Sequence, residues 1–139
     1  MTNRTEETIV FHKLLDMEKQ CGSDVSEAEF RVLFSRMLKQ KRVTWTIEDG
    51  ELKSLILVRV VDDVRLISVP GIHDSEGYIA ICEYLTSTSR ESFLKGFTEL
   101  QERFPNARLL VFRRPLKGKY KFDCYSLERF KKLKFRIGV

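Results

Sequence analysis

The turn at residues 86–90 has the residue types of an anion-binding site. Thr86, Ser87, Thr88 and Ser89 supply four hydroxyl groups in a row, and Arg90 adds a cation. Ser89 stands directly before an amphipathic helical pattern, so the unbonded N–H groups of a helix start face the same point. This turn is therefore a candidate site for an anion. An ordinary helix cap with solvated hydroxyl groups is the alternative.

Cations are concentrated late in the chain. Residues 1–104 contain 14 Lys or Arg and 18 Asp or Glu, whereas residues 105–139 contain 11 and 2, so balances of −4 and +9 produce the net charge of +5. Such asymmetry indicates a nucleic acid, another polyanion or an acidic protein surface as partner, with a solvated surface as the alternative. The predicted contacts are Arg113, Arg114, Lys117, Lys119, Lys121, Lys131 and Lys132.

A histidine and two carboxylates in one loop have the residue types of an acid–base pair. His73 precedes Asp74 directly, and Glu76 follows, which offers a proton acceptor with an orienting carboxylate. A solvated surface loop is the alternative. Four acidic turn residues are weaker candidates for a pocket that binds a substrate amine: Glu48, Asp49, Asp62 and Asp63.

Cysteine and histidine are too few for a metal site or a disulfide framework. Cys21, Cys82 and Cys124 are 61 and 42 residues apart, which is not a CxxC spacing. Only His12 and His73 could join them, whereas a zinc site needs about four such ligands. The sequence predicts reduced thiols, at least one of them buried, and no metal.

The spacing of apolar residues predicts the secondary structure: apolar residues that recur every three to four positions indicate helices, and apolar residues that alternate with polar ones indicate strands. An S-x-x-E capping box at Ser26 begins a helix, and Asp49-Gly50 between two alternating segments predicts a hairpin. The predicted helices lie at residues 6–21, 26–42, 89–104 and 126–133. The predicted strands lie at residues 43–48, 52–61, 64–69, 78–85, 109–112 and 135–139, with a basic loop or ribbon at residues 117–121.

These elements indicate an α+β fold in one domain, residues 1–139. The sheet is mixed, mostly antiparallel and five to seven strands wide, with helices on both faces. The order of the elements is α-α-β-β-(β)-β-α-β-α-β, where the parentheses mark the strand at residues 64–69. Without that strand the order is α-α-β-β-β-α-β-α-β. A strand, a helix of about 15 residues and another strand predict one parallel pair late in the chain. No apolar run approaches the ~18 residues of a membrane span, and the first residues lack a signal sequence, so a cytoplasmic location is expected.

This order resembles the GNAT superfamily, the general-control N-acetyltransferase-like proteins. The residues that carry the resemblance are Phe130, Leu133 and Phe135, which match an aromatic-x-x-Leu-Gly-Phe pattern at the last helix. The resemblance covers nearly the whole chain by element order. It implies a GNAT-like fold and acyltransferase-like chemistry with acetyl-coenzyme A (acetyl-CoA) as the cofactor.

Several positions depart from the family pattern. The family binds the coenzyme A pyrophosphate with [QR]-x-x-G-x-[GA] before the crossover helix, and residues 86–91 contain no glycine. Phe130 stands where many members have a tyrosine that acts as general acid, and Lys134 replaces a glycine. The chain thus resembles the motif-poor GNAT-like proteins of bacteriophages and mobile elements, some of which are virion parts.

Three functions are expected from this resemblance and from the basic region. The first is an accessory or structural factor of a phage or mobile element with little or no use of acetyl-CoA, located in the cytoplasm or the virion. The second is an active N-acyltransferase with a non-standard acyl-CoA site at residues 86–90. The third is a nucleic-acid-binding module that uses the basic region. The sequence specifies neither the substrate nor the oligomeric state.

Overall fold

One mixed sheet with helices on both faces organises the described part of the chain. The computed structural model describes the backbone of residues 3–116 and 119–126 and, within them, the side chains of residues 4–113, 123 and 126. The helices are α1 (Asn3–Gln20), α2 (Glu27–Lys39) and α3 (Arg90–Arg103). The strands are β1 (Val43–Glu48), β2 (Glu51–Val61), β3 (Ile79–Ser87), β4 (Leu109–Leu116) and β5 (Lys119–Ser126).

The five strands lie in sequence order across the sheet. Neighbouring strands are antiparallel except β3 and β4, which are parallel and joined through α3. The structure thus confirms the predicted fold class, and the described residues form five strands, the lower end of the predicted range.

Local sequence signals set the ends of several elements. Ser26 and Glu29 form the predicted capping box, in which each side chain accepts a hydrogen bond from the other residue's backbone N–H, at 3.1 and 3.2 Å. Asp49 and Gly50 have φ of 54° and 75° between β1 and β2, as a type I′ turn requires. These signals confirm the start of α2 and the first hairpin as the sequence predicts them.

Two apolar cores lie on opposite faces of the sheet. Helices α1 and α2 cover one face, called here the α1/α2 face, where Phe11 and Phe30 pack against Leu57 of β2. Helix α3 covers the other face, called here the α3 face, where Phe97 packs near Val58. Because side chains alternate along a strand, the faces of β2 can be assigned residue by residue.

The strand predicted at residues 64–69 is wrong. Residues Val64–Leu66 form one turn of 3-10 helix, which Asp63 caps by accepting a hydrogen bond from the Arg65 N–H at 2.8 Å. Leu66 and Ile67 pack under the sheet against a small core around Ile81. Their apolar side chains therefore anchor a loop, although their spacing also fits a strand.

The predicted end of β4 is also wrong. The strand passes through Pro115 to Leu116, whereas the sequence suggests a stop at residues 113–115. Proline is tolerated because β4 pairs only with β5 there, beyond its last partner on β3. Of the basic loop or ribbon predicted at residues 117–121, residues 119–121 lie in β5, and residues 117 and 118 are outside the described residues. The helix predicted up to residue 133 lies outside the described residues after Ser126, as does the strand at 135–139.

A membrane-spanning helix is not found in the part of the chain that the structure describes, because each helix there is too short or too polar.

Candidate functional site

The parallel strands β3 and β4 separate partway along their length. They pair from Ile79 with Leu109 to Cys82 with Phe112. Beyond that pair, the described strand that pairs with β3 up to Ser87 is β2, and the described strand that pairs with β4 up to Leu116 is β5. The two strands thus turn one edge each toward a cleft at their carboxyl ends. Ligands of open α/β sheets commonly bind in such a crevice.

A β-bulge lies where the cleft begins. Leu57 pairs with Tyr84 and Val58 with Cys82, so Glu83 is an extra residue on β3. A bulge places two successive side chains on the same face, and here Glu83 and Tyr84 both point to the α1/α2 face. The bulge therefore places the Glu83 carboxylate at the point where β3 and β4 separate, called here the apex of the cleft.

Three arginines surround that carboxylate. Glu83 Oε1 accepts hydrogen bonds from Arg42 Nη2 at 2.9 Å and from Arg59 Nε at 3.1 Å, and Arg113 Nη1 lies 3.8 Å from Oε2. The four side chains are between 3% and 15% exposed. One buried carboxylate therefore holds three cations together. Through these contacts the start of β1, the middle of β2 and strand β4 are all connected to the bulge.

Arg113 spans the apex of the cleft. Its Nη2 donates a hydrogen bond to the Glu83 backbone oxygen at 3.4 Å, and its guanidinium lies over the Tyr84 ring at 4.8 Å. The Tyr84 hydroxyl donates to the Glu18 carboxylate of α1. Burial, followed by this hydrogen bond to Glu18, raises the pKa of Tyr84. Tyr84 is thus held neutral beneath Arg113.

The Cys82 thiol lies beside the same apex on the α3 face. Burial, with a smaller effect of Glu83, raises the pKa of Cys82 to about 12. A thiolate is the reactive form of cysteine, so this thiol is inert at neutral pH. Cys21 is partly buried, and burial of Cys82 confirms that at least one thiol is buried.

The hydroxyl-rich turn connects the cleft with α3, but its Ser87, Thr88 and Ser89 hydroxyl groups form hydrogen bonds with backbone atoms of the turn, of β2 and of α3. Ser89 Oγ caps α3 by accepting from the Ser92 N–H at 3.1 Å. Ser87 Oγ donates to the Ser89 oxygen at 2.7 Å, and Thr88 Oγ1 donates to the Lys53 oxygen at 3.1 Å. Residues 87–90 are exposed, whereas Thr86 is partly buried. The turn lies where the sequence predicts an anion site, and its role stays a prediction.

The predicted cation contacts divide into three groups. Arg113 is half-buried and bound to Glu83, so it faces the protein. Arg114 lies on β4, and Lys119 and Lys121 lie on β5, with only their backbone described. The remaining three lie outside the described residues: Lys117, Lys131 and Lys132. A nucleic-acid interface stays a prediction.

The His73 loop is not arranged for acid–base chemistry. His73 Nδ1 accepts a hydrogen bond from the Val60 N–H at 3.0 Å, and its ring packs against Phe104 with centroids 5.4 Å apart. Asp74 accepts from the Glu76 N–H rather than orienting the histidine. The lone pair that a general base needs is therefore used to hold the loop on β2.

The state of His73 makes folding pH-dependent. Burial, followed by the charge of Arg42, lowers the pKa of His73 from 6.5 to about 4. The unfolded chain binds the proton more readily, so we expect the free energy of unfolding to fall as pH drops from 6.5 to 4. The loss is about 1–2 kcal/mol after a discount for partial exposure. Urea unfolding at stepped pH measures it.

The matched variant for this experiment is His73→Asn. The asparagine side-chain oxygen can replace Nδ1 as acceptor for the Val60 N–H and does not titrate. Asp63, whose pKa Arg65 lowers from 3.8 to about 2, affects only lower pH. An unchanged dependence on pH in the His73→Asn chain would contradict the assignment to His73.

The described acidic turn residues do not form a pocket for an amine. Asp49 lies in the β1–β2 turn, whereas Asp63 pairs with Arg65 at the other end of β2. Within the described residues, groups of three or more metal-ligating side chains are not found.

Sequence reasoning missed the cluster of Glu83 with its arginines. Its members lie between Arg42 and Arg113, 71 residues apart in the sequence, so a motif of local spacing does not exist. The sequence contains one signal of this cluster: Arg59 is the one charged residue within residues 55–61, and Glu83 is the one charged residue within residues 79–85. Charged residues at such positions are rarely buried unless they are paired.

Comparisons with known proteins bear on this architecture. Neither a family model nor a curated protein matches the chain. Among solved structures, the loading GNATL domain of CurA from Lyngbya majuscula superposes with a TM-score of 0.51 at 14% identity, over 74% of this chain and 59% of that chain. The GphF GNAT-like decarboxylase in complex with isobutyryl-CoA superposes with a TM-score of 0.41 at 16% identity, over 64% and 51%.

The chain therefore spans little more than half the length of the structures that it matches. The order of its elements, the single parallel pair and the similarity to the CurA domain agree on the architecture. This chain has a divergent GNAT-like fold.

Proposed function

We propose that the domain binds an acyl-coenzyme A in the cleft between β3 and β4. The observation that carries the proposal is the separation of the two parallel strands after Cys82 and Phe112. Among the residues that the structure describes, each strand there has one edge without a neighbouring strand. A ligand with its own amide groups can pair with such edges as an added strand does. The pantetheine arm of coenzyme A contains two amides in an extended chain.

The apex determines where the thioester end would lie. Arg113 closes the cleft at Glu83, so an extended arm that enters from the open end stops beside this guanidinium. A guanidinium is a strong donor to carbonyl and carboxylate oxygens. Arg113 is thus the residue placed to orient the acyl oxygen, and Glu83 positions Arg113.

The other end of the cleft meets the start of α3. Backbone N–H groups at a helix start favour anions, and Arg90 adds a cation as the first residue of α3. The Lys53 backbone oxygen contacts Thr88, whereas the Lys53 ammonium pairs with Glu51 at 3.1 Å. The fit differs from the glycine loop of the GNAT family because the Ser87, Thr88 and Ser89 side chains form hydrogen bonds with nearby backbone atoms. Phosphate recognition here therefore relies on Arg90 and the helix start, and we expect weak affinity.

A variant in the cleft tests this assignment. Leu85 lies on β3 beyond the last pair with β4 and is 39% exposed, so a charge there is compatible with folding. We expect Leu85→Glu to weaken acetyl-CoA binding at least tenfold, because the carboxylate repels the phosphates. Calorimetric titration at ~150 mM salt measures the affinity.

Two comparisons make this titration specific. Val32→Glu places the same charge on α2, at a residue that is 62% exposed, and should leave binding unchanged. ATP serves as a polyanion without a pantetheine arm. Equal affinity for ATP and acetyl-CoA, or equal effects of the two variants, would contradict the cleft as the binding site.

An accessory role without acyl-CoA is the second candidate. The observation that favours it is the internal bonding of the Ser87, Thr88 and Ser89 side chains, together with the absence of glycine from residues 86–91. A chain that binds neither acetyl-CoA nor ATP would support this role. Its setting in a bacteriophage or mobile element is part of this proposal and rests on the sequence resemblance. Retention on DNA that decreases steeply with salt would instead favour the basic region as a nucleic-acid interface.

A further inference from the structure

Residues 68–75, called here the strap, lie against β2 in the loop between β2 and β3. Seven of these eight residues are exposed, and His73 is the exception. The strap follows Ile67, which packs under the sheet, and precedes Glu76, whose carboxylate accepts a hydrogen bond from Asn106 Nδ2 at 2.9 Å. A segment with so little buried surface opens at a low free-energy cost unless specific contacts hold it. The strap is thus anchored at both ends, and its middle depends on a few contacts.

The strap takes the place of a neighbouring strand beside Val60 of β2. Strand β1 begins at Val43, which pairs with Leu57, so β1 does not extend as far as Val60. Instead, the Val60 N–H donates to His73 Nδ1 at 3.0 Å, and the Val60 oxygen accepts from the Asp74 N–H at 2.7 Å. Both backbone polar groups of Val60 are therefore satisfied by the strap, one of them through the His73 side chain.

Arg59 makes one further contact with the strap. Its Nη1 donates to the Ile72 oxygen at 3.2 Å, and the same guanidinium also binds the oxygens of Leu66 and Ile67, ahead of the strap. Release of Ile72 therefore leaves Arg59 with other acceptors, and the anchor at Leu66 and Ile67 stays in place. The closed position of the strap thus depends chiefly on His73.

The hydrogen bond of His73 is compatible with the neutral ring only. Because Nδ1 accepts from the Val60 N–H, the neutral ring carries its proton on Nε2. Nε2 is buried and lacks a hydrogen-bond partner among the described residues, so closure leaves this donor unpaired. A second proton would put an N–H on Nδ1, and two donors would then face each other across 3.0 Å. The charged ring therefore cannot keep the bond that closes the strap.

The surroundings of His73 also oppose a charge on its ring. The charged groups that act on it are Arg42, ahead of β1, Arg59 of β2 and Asp74 of the strap. The C-cap of α3 places the uncharged Phe104 ring against it, with centroids 5.4 Å apart. Burial, followed by the charge of Arg42, lowers the pKa of His73 from 6.5 to about 4. Protonation is thus favoured when the ring leaves its place.

From these contacts we propose that the strap is a pH-dependent latch: protonation of His73 releases residues 68–75 from the edge of β2 while the rest of the domain stays folded. The open form exposes the backbone N–H and oxygen of Val60 at this edge, and Nε2 of His73 gains water as a partner. Ile67 and Glu76 keep their contacts at the two ends of the strap. This proposal is independent of acyl-CoA binding.

Amide hydrogen exchange of the full chain, measured at stepped pH from 6.5 to 4.5, tests the proposal. After correction for the intrinsic exchange rate, the protection of the Val60 and Asp74 amides should fall about fivefold to thirtyfold over this range. Low concentrations of urea distinguish local opening from unfolding of the domain, because urea promotes an opening in proportion to the surface exposed. Exchange at Val60 and Asp74 should respond weakly to urea, whereas exchange at Phe34, in the middle of α2, should respond strongly. Equal protection and an equal urea response at Val60 and Phe34 would overturn the proposal.

Three variants assign the titrating group. His73→Asn keeps an acceptor for the Val60 N–H and should remove the pH dependence at Val60 and Asp74. Asp74→Asn and Glu76→Gln remove the nearby carboxylates but keep an acceptor oxygen for the Glu76 N–H and for Asn106, so both should retain the dependence. A dependence that persists in His73→Asn, or that disappears in either carboxylate variant, would overturn the proposal. In the unsubstituted chain, protection of Val60 that does not change with pH would overturn it as well.

Discussion

We expect the Glu83→Ala substitution to lower the free energy of unfolding by about 3–5 kcal/mol. The substitution removes the one carboxylate that Arg42, Arg59 and Arg113 share, and these guanidinium groups are at most 15% exposed. Three like charges then remain together in a region with little water to screen them. Urea unfolding of the purified chain measures the loss.

Two further variants separate charge from packing. Glu83→Gln keeps the size and one acceptor oxygen but removes the charge, so it should be less harmful than Glu83→Ala. Glu99→Ala breaks an exposed pair with Arg103 on α3 and should cost at most about 0.5 kcal/mol. If Glu83→Ala were as mild as Glu99→Ala, the cluster would not stabilise the fold.

A local readout follows from the contacts of Arg59. Its guanidinium donates to the backbone oxygens of Leu66, Ile67 and Ile72 at 2.8 to 3.2 Å, so the cluster also holds the loop between β2 and β3. We expect amide hydrogen exchange in residues 62–76 to become faster in Glu83→Ala than in Glu83→Gln. The cluster thus connects the apex of the cleft with the loop between β2 and β3.

The sequence is sufficient to predict the elements that depend on local chemistry. The capping box at Ser26, the Asp49-Gly50 turn and the alternation of β1 each involve residues within a few positions of one another. The amphipathic pattern of α3 and the cap at Ser89 are local in the same way. These predictions are confirmed.

Features that depend on distant residues are not visible in the sequence. The apolar pattern of residues 64–69 fits a strand. In the structure, however, the Arg59 guanidinium donates hydrogen bonds to the backbone oxygens of Leu66 and Ile67, and these residues belong to a loop. The separation of β3 from β4 begins next to the bulge at Glu83, which becomes visible only from the register against Leu57 and Val58. A tertiary contact determines the local structure in both places.

The sequence also leaves open whether β3 begins before or after Gly77. In the structure it begins two residues after Gly77, and this position leads to the second large effect. We expect Gly77→Ala to lower the free energy of unfolding by about 2–3 kcal/mol. A methyl group at residue 77 would clash with the backbone carbonyl of Val61 and lie 3.1 Å from the Asp62 nitrogen. These are backbone atoms, so a rotamer change cannot relieve the clash.

The position of Gly77 explains why this clash is costly. Its N–H donates to the Asp74 oxygen at 2.9 Å, and two residues later Ile79 pairs with Val61 to begin β3. The strand therefore starts where the loop passes closest to the end of β2, and only a residue without a side chain fits there. A shift of this backbone moves Ile79 away from Leu109, its partner across the parallel pair.

Gly71→Ala is the matched control for Gly77→Ala. Gly71 lies in the same loop at φ +85°, with open space around it, so alanine there adds only backbone strain of about 1 kcal/mol. Urea unfolding of both variants measures the difference. A Gly77→Val substitution should be worse than Gly77→Ala, whereas the side chain at residue 71 should matter little beyond the first methyl group. If Gly71→Ala were the more harmful of the two, the close approach of Gly77 to Val61 would not be what fixes the start of β3.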